Sequence, residues 1–439
     1  MEQLKRNDII LISFMLFSMF FGAGNLIFPT FLGYSAGQSV WSSLGGFVIT
    51  AVGLPVLAVI AVAINGSFDE LNRRVHPLFA FVFPVIIYLC IGPGLAIPRA
   101  GTIAYEMGMK PFIPQALTGN PLMLALFSFA FFSLVLWLSL SPSKLVDRFG
   151  KVLAPVTLGI IALIFIKKLF SPDSDFAPPA GAYKENSFFQ GFLDGYLTMD
   201  ALGALVFGVF IANTVRSRGI SSQKNISKNM IYIGIGAGIL LAGIYAILGF
   251  LGASSSGTGS EENGAGVLTA IVSALFGNAG VVILGILFVS ACLCVSIGLV
   301  ISCSQYFNKL FSKMSYRNWV ILFTLLSMLI ANLGLNQILA VSVPILSIVY
   351  PITVVLIVLG LLYPYLKNYF AVYPAAILFT GIYSLFEFMN KTILSGSFDP
   401  VMTSIPLYKQ GIGWLLPAIF GTVIGLAASS IKKHKVSAQ

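Results

Sequence analysis

The sequence predicts an all-α polytopic membrane protein of twelve transmembrane helices. They are ordered as two inverted repeats of five helices followed by two additional ones, with helices 1 and 6 discontinuous. Three observations carry this. Hydrophobic residues make up 57% of the 439 residues and charged ones only 9%, a balance that soluble domains do not reach. Apolar stretches of bilayer length, about 20 residues each, recur along the whole chain. Glycine-polar interruptions fall in the first and sixth of them, the matching positions of two five-helix halves.

In order, the predicted spans are 8–30, 40–64, 77–104, 121–139, 152–170, 188–214, 229–252, 279–306, 318–336, 338–363, 369–394 and 412–431. They form one transporter domain over 1–439, with repeats at 8–170 and 188–363 and the two extra helices at 369–431. Residues 267–307 are too long for one crossing, and Gly277-Asn278-Ala279-Gly280 splits them into a short re-entrant or amphipathic helix and span eight. The polar stretch Ser171 to Ser187 reads as a loop, and the tail before Asp8 is too short for a signal peptide. Gly234 and Gly238 in span seven are read as packing residues.

Lysine and arginine set the orientation, because positive charge stays on the cytoplasmic side. With the N-terminus inside, eighteen fall in inner loops and tails, from Lys5, Arg6, Arg73 and Arg74 through Lys144, Arg148 and Lys151 to Lys432, Lys433 and Lys435. The outer loops hold six, Lys110, Lys167, Lys168, Lys184, Lys391 and Lys409, and Arg99 lies within the membrane. Both termini are therefore expected in the cytoplasm, with an even number of spans. The net charge of +10 is topology. Basic residues scattered over separate loops make no stripe for nucleic acid, and no obligate protein partner is expected beside the lipid bilayer.

The first span is broken near its middle by Gly22-Ala23-Gly24-Asn25 and is expected to end at Phe28-Pro29. Backbone released at membrane depth must be satisfied by protein or by a hydrated cavity, and broken helices of this kind hold substrates and coupling ions. In the sixth span the counterpart runs from Gly195 through Tyr196, Thr198 and Met199 to Asp200.

Intramembrane charges narrow the candidates, since each is costly and marks a pathway, relay or paired site. Arg99 and Glu106 are seven apart, on one helix face, so an Arg99–Glu106 or Arg99–aspartate pair is expected. For Arg99 a structural lock and a substrate contact both stand. Asp194 and Asp200 are six apart and point about 240° away from each other on a regular helix, which argues against an aspartyl dyad. Asp200 is expected to organise the site, capping the broken helix or pairing with Arg99, and Asp194 to act as an outer gate or cap; a structural role for either stands beside these. Asp8 and Glu387 read as structural or interfacial. The four cysteines, Cys90, Cys292, Cys294 and Cys303, lie in apolar segments and read as small buried hydrophobes. The two histidines, His76 and His434, lie in a loop and the tail, so no metal beyond a sodium ion is expected, and an intramembrane proton carrier would be a carboxylate.

Several motifs together resemble one family. They are Phe17-Ser-Met-Phe-Phe-Gly22-Ala-Gly-Asn25-Leu-Ile-Phe-Pro29, Gly46 to Pro55, Gly92-Pro93 with Pro98-Arg99, and Gly195-Tyr-Leu-Thr-Met-Asp200. The likeness continues through Asn213 to Gly219, Ala291-Cys-Leu, Ile297-Gly298-Leu, Asn332 to Leu335, Val343-Pro344 and Tyr350-Pro351. The chain resembles, nearly over its full length, the BrnQ-type bacterial branched-chain amino-acid carriers, the LIVCS family within the amino-acid/polyamine/organocation superfamily. The resemblance implies a LeuT-like 5+5 inverted repeat and import of leucine, isoleucine and valine driven by a sodium or proton gradient, with no cofactor.

It further implies roles. Gly22, Ala23, Gly24 and Asn25 correspond to the unwound part of helix 1, whose N–H groups bind the substrate carboxylate. The carbonyls of Phe20 and Phe21 and the Asn25 oxygen stand near the coupling cation. Tyr196, Thr198, Met199 and Asp200 correspond to the unwound part of helix 6, which lines the side-chain pocket and whose Thr198 can supply a hydroxyl oxygen to the coupling ion. Span eight brings Ala291, Cys294 and Ser296, with one hydroxyl where sodium-coupled members have two. Sodium prefers oxygen to sulfur, so proton coupling through Asp200 stands beside sodium coupling.

From the residues themselves, Phe20, Phe21, Tyr196 and Met199 offer apolar surface for a side chain, and Asp200 a partner for an amine. Other neutral solutes, methionine or a nucleobase, remain alternatives in this fold. A membrane enzyme would need a catalytic cluster that the sequence lacks.

Overall fold

The structure is a computed structural model and describes residues 4–117, 119–140, 145–171, 175–257 and 263–437; Lys144 and residues 172–174 of the polar loop lie outside them. The described chain folds as helices and short turns, in this order. The first five are α1 (Arg6–Phe20), α2 (Ala23–Ala36), α3 (Val40–Val48), α4 (Leu54–Asn65) and α5 (Phe68–Arg73). Next come α6 (Pro77–Leu89), α7 (Ala96–Gly108), α8 (Pro121–Ser139), α9 (Leu145–Leu169) and α10 (Tyr183–Asp194). After them follow α11 (Asp200–Ser217), α12 (Gln223–Ala253), α13 (Gly264–Leu310), α14 (Tyr316–Ala331) and α15 (Leu335–Leu361). The last are α16 (Tyr363–Leu366), α17 (Val372–Thr392), α18 (Asp399–Met402) and α19 (Leu415–Ser437).

Every predicted apolar stretch coincides with helix. Among the described residues, eight helical segments are long and apolar enough to cross a membrane, and two shorter apolar ones, Tyr316–Ala331 and Leu415–Ile431, accompany them. The apolar side chains these helices turn outward, such as Trp137, Ile239, Ile286, Leu329 and Ile382, suit a lipid surround.

The breaks are narrower than the sequence suggests. The first span interrupts at Phe21 and Gly22 alone, whose backbones are extended, and Ala23, Gly24 and Asn25 already belong to α2. Nor does the helix stop at Phe28-Pro29. It runs through Pro29 to Ala36, although Pro29 lacks the N–H that would have met the Asn25 carbonyl and its ring crowds that oxygen. In the sixth span α10 tightens into a 3₁₀ turn, Gly195–Thr198, and Met199 adopts a left-handed backbone, φ 62°, before α11 starts at Asp200. That conformation is rare for a residue with a side chain. The third span is also irregular, since a wide π-type turn at Cys90–Gly94 separates α6 from α7. The expected split before span eight lies at Gly277, where φ is 60° and α13 changes direction.

Packing relates the two halves. If helices 1, 2 and 3 correspond to 6, 7 and 8, contact of 1 with 7 is equivalent to contact of 6 with 2. Both occur, as α1 and α2 lie on α12 while α10 and α11 lie on α3 and α4, and the self-equivalent pair α7–α13 packs extensively. Small residues make this possible. A Cβ on Gly252 would lie 2.0 Å from the Thr30 carbonyl oxygen, and one on Gly195 1.9 Å from Thr50 Oγ1. Gly234 and Gly238 face Val56 of α4, consistent with a packing role.

Candidate functional site: a cavity between four helices

The two breaks meet. Asn25, in the first turn of α2, is buried and spends all its polar atoms on the junction. Its Oδ1 accepts the Gly22 N–H at 2.9 Å, and Nδ2 donates to Asp200 Oδ2 at 2.6 Å and to the Tyr245 hydroxyl at 2.5 Å. Tyr245, from α12, in turn donates to Asp200 Oδ2 at 3.1 Å. A buried carboxylate is costly unless hydrogen-bonded, and here two neutral donors do that. The Thr198 hydroxyl donates to the Gly195 carbonyl at 3.0 Å and accepts the Asp200 N–H at 3.4 Å, holding the 3₁₀ turn in place.

Beside this junction lies a cavity of about 50 Å³, enough for a few waters. Its wall comes from four spans. The first gives Met19, Phe20, Gly22, Ala23, Gly24 and Asn25, and the third gives Ile91, Ala96, Arg99, Ala100 and Ile103. The sixth gives Thr198, Met199, Asp200, Gly203 and Phe207, and the eighth Val295 and Leu299.

Arg99 is buried, 5% exposed, on the first turn of α7. Its Nη1 donates to the Leu197 carbonyl at 2.7 Å, an acceptor released by the break in the sixth span, and its guanidinium lies 5.3 Å from the Phe28 ring centre. The expected Arg99–Glu106 pair does not form, because Glu106 takes Lys110 one turn further on, at 2.6 Å. Nor does an Arg99–Asp200 ion pair form; among the described residues the ion pairs are Lys110–Glu106, Arg218–Asp8 and Lys391–Glu387.

Of the sequence candidates, Gly22, Ala23, Gly24, Asn25, Thr198, Met199, Asp200, Phe20 and Arg99 converge on the cavity. Others do not. Phe21 stacks on Phe17 at 5.0 Å, and Tyr196 stacks on Tyr350 at 4.2 Å; both leave the cavity wall to their neighbours. On α13, Val295 and Leu299 face the cavity while Ala291, Cys294 and Ser296 do not line it. The Ser296 hydroxyl is buried without a hydrogen-bond partner among the described residues. Asp194, below the 3₁₀ turn, accepts from Tyr183 Oη and, at 2.9 Å, from Gln190, so it ties α10 to itself. It and Asp200 are kept apart by the broken helix, as expected of their divergence, though the cause is the break and not a regular rotation.

Sequence reasoning missed Tyr245 and most of the third-span wall. The spacing held the second signal: Ala96, Arg99/Ala100 and Ile103 form one helix face, as do Asp200, Gly203 and Phe207. Tyr245 carries none, being one tyrosine in an apolar run.

Phe207 has a second side. It also lines a vestibule of about 890 Å³, walled by Asp69, Arg73, Asn213, Gln305, Tyr306 and Lys309 among others. This vestibule opens at the end of the bundle where the N-terminus lies, since Arg218 after α11 pairs with Asp8 of α1. The Phe207 ring, 6.1 Å from that of Phe20, thus separates cavity from vestibule. Toward the other end the Tyr196–Tyr350 stack, the Arg99–Leu197 bond and the Thr50 hydroxyl on the Phe192 carbonyl at 2.7 Å close the way.

Comparison with known proteins agrees with this architecture. Residues 5–432 match the profile of the branched-chain amino acid transport protein family. The chain is 46% identical to the branched-chain amino acid permease BraB of Bacillus subtilis (strain 168), covering 97% of this chain and 96% of that one. It is 35% identical to the permease BrnQ of Escherichia coli (strain K12), covering 97% and 96%. Among solved structures it is similar to MhsT in complex with L-phenylalanine, TM-score 0.59 at 14% identity over 96% of this chain and 99% of that one. It is also similar to Mhp1, a nucleobase-cation-symport-1 family transporter, in a closed conformation with bromovinylhydantoin bound, TM-score 0.61 at 13% identity over 96% and 91%. At such identities the likeness is one of fold, the LeuT-type fold expected from the paired breaks.

Proposed function

The chain belongs to the branched-chain amino acid transport protein family, and from that premise we propose that it is a secondary active transporter. It imports leucine, isoleucine and valine, coupled to a proton or sodium gradient, across the bacterial inner membrane with both termini in the cytoplasm. It is a carrier and not an enzyme, and amino acid and coupling ion are its small-molecule partners.

The observation that carries the reading is the junction of the two broken helices, where α2 starts, α11 starts and Asp200 is held by Asn25 and Tyr245. An amino acid presents a carboxylate, an ammonium and a side chain. The N-terminal end of α2 suits the first, Asp200 the second, and Phe20, Ile103, Met199, Phe207, Val295 and Leu299 the third. Branched aliphatic side chains differ by single methyl groups, worth about 1–3 kcal/mol each in an apolar pocket, so a wall of this kind tolerates several of them. A cavity of about 50 Å³ must widen to accept leucine, which alternating access supplies.

For the coupling ion, two features bear on the choice. Asp200 is a buried carboxylate in the cavity wall and, among the described residues, has no cationic partner within ion-pair distance, which suits a proton. The Asn25 oxygen already accepts the Gly22 N–H, and the residues of α13 nearest the first-helix break include Val295 in place of a hydroxyl, so sodium would rely more on carbonyls.

The test is uptake of labelled leucine into proteoliposomes with unlabelled competitors. Isoleucine and valine should compete as well as leucine does, and lysine and glutamate should not. Uptake indifferent to leucine, isoleucine, valine and methionine alike would overturn the substrate assignment.

A further inference from the structure

Resting on the amino-acid carrier reading, we propose that Arg99 is the residue that makes the site require a carboxylate, binding it together with the N–H groups at the start of α2. Four observations place it there. Arg99 lines the cavity and is buried. One of its five donors meets the Leu197 carbonyl; the others have no acceptor among the described residues, and Asp200, whose charge reaches it across the cavity, stays beyond ion-pair distance. A buried cation left so is unfavourable until an anion arrives. Its Nη2 flanks Gly24, since a Cβ on Gly24 would lie 3.3 Å from it, with the Phe28 ring packed beside both, so the absent side chain of Gly24 lets the guanidinium approach the first turn of α2.

The fourth observation is the opposite charge. Asp200 lines the same cavity yet is held by the neutral Asn25 and Tyr245, not by Arg99. One wall therefore offers a cation and another an anion, each anchored by uncharged partners. A zwitterion is complementary to that arrangement, with its carboxylate on Arg99 and its ammonium on Asp200. Two opposite charges locked in a structural pair would offer a ligand neither end. A planar guanidinium also matches a carboxylate with two parallel bonds, which a lysine cannot reproduce.

The experiment compares binding of leucine and leucinol, its carboxylate replaced by an alcohol, by displacement of labelled leucine from purified wild-type, Arg99→Lys and Arg99→Gln proteins. Wild type should prefer leucine by at least about 30-fold, the scale of a desolvated charge pair. In Arg99→Gln, leucine affinity should fall by about that factor while leucinol affinity changes less than about threefold, so the preference collapses; Arg99→Lys should keep part of it. A purely structural role would weaken both ligands together and leave the ratio intact, which overturns the proposal, as does an unchanged Arg99→Gln protein. Should Arg99→Gln elute aggregated on size exclusion, Arg99→Lys decides: an undiminished preference overturns the proposal and a partial one supports it. Wild type that binds leucinol as well as leucine also overturns it. Wild type that binds no leucine overturns instead the carrier reading beneath it.

Discussion

At the scale of single residues, the site depends on how one amide is shared. Asn25 serves the first-helix break through its oxygen and the sixth-helix break through its nitrogen. Asn25→Ala leaves the Gly22 N–H and the Asp200 carboxylate without these partners, each hydrogen bond worth about 1 kcal/mol net and more where a buried group is orphaned. We expect uptake to fall to background while the protein still elutes as a folded species on size exclusion; wild-type uptake would reduce Asn25 to helix packing. Asp200→Asn separates charge from hydrogen bonding. If Asp200 carries the coupling proton, this variant retains leucine exchange but loses the dependence of net uptake on external pH. Retained pH dependence would move the proton elsewhere. Much of this was legible in the sequence: Gly22, Asn25, Thr198 and Asp200 stand out as polar or flexible residues in apolar runs. Long-range partners were not, because the Asn25–Tyr245 and Arg99–Leu197 bonds depend on which groups the fold brings within 3 Å, whereas the Glu106–Lys110 pair, four residues apart, was there to be read in the spacing.

At the scale of helices, a break is set by backbone angles that residue types only bias. The sequence pattern Gly-Ala-Gly-Asn suggests four unwound residues, yet two suffice, since Asn25 caps the new helix from inside it. Pro29 likewise suggests a helix end where the chain absorbs it. In the sixth span the turn depends on Met199, whose left-handed backbone no propensity would assign to methionine. Close approach of α2 and α12 is more legible, through small residues. Gly252→Ala puts a methyl group 2.0 Å from the Thr30 carbonyl oxygen, where backbone cannot yield cheaply. We expect it to lower stability by about 1–3 kcal/mol, read as a reduced melting temperature in detergent, with reduced uptake. An unchanged melting temperature would mean the two helices are not seated as closely as described.

At the scale of the whole molecule, two pseudo-equivalent halves place their broken helices face to face, and the cavity between them is closed unequally. One side is shut by several layers around the Tyr196–Tyr350 stack, the other by Phe207 before the 890 Å³ vestibule. Phe207→Ala joins cavity and vestibule. We expect it to weaken leucine binding by about tenfold, the upper part of what losing a buried aromatic contact costs, with folding retained. Unchanged affinity would mean that Phe207 does not close the site. The twofold relation of the halves was legible from two interruptions five spans apart; the unequal closure was not, because it is set by tertiary distances that no local pattern records.

The central claim, that this cavity serves gradient-driven amino-acid movement, is tested most directly by labelled leucine uptake into proteoliposomes with inward sodium and proton gradients imposed separately. The account predicts that one of the two drives leucine above its equilibrium level and that collapsing that gradient with an ionophore releases it. Leucine that only equilibrates, with either gradient or none, would contradict it.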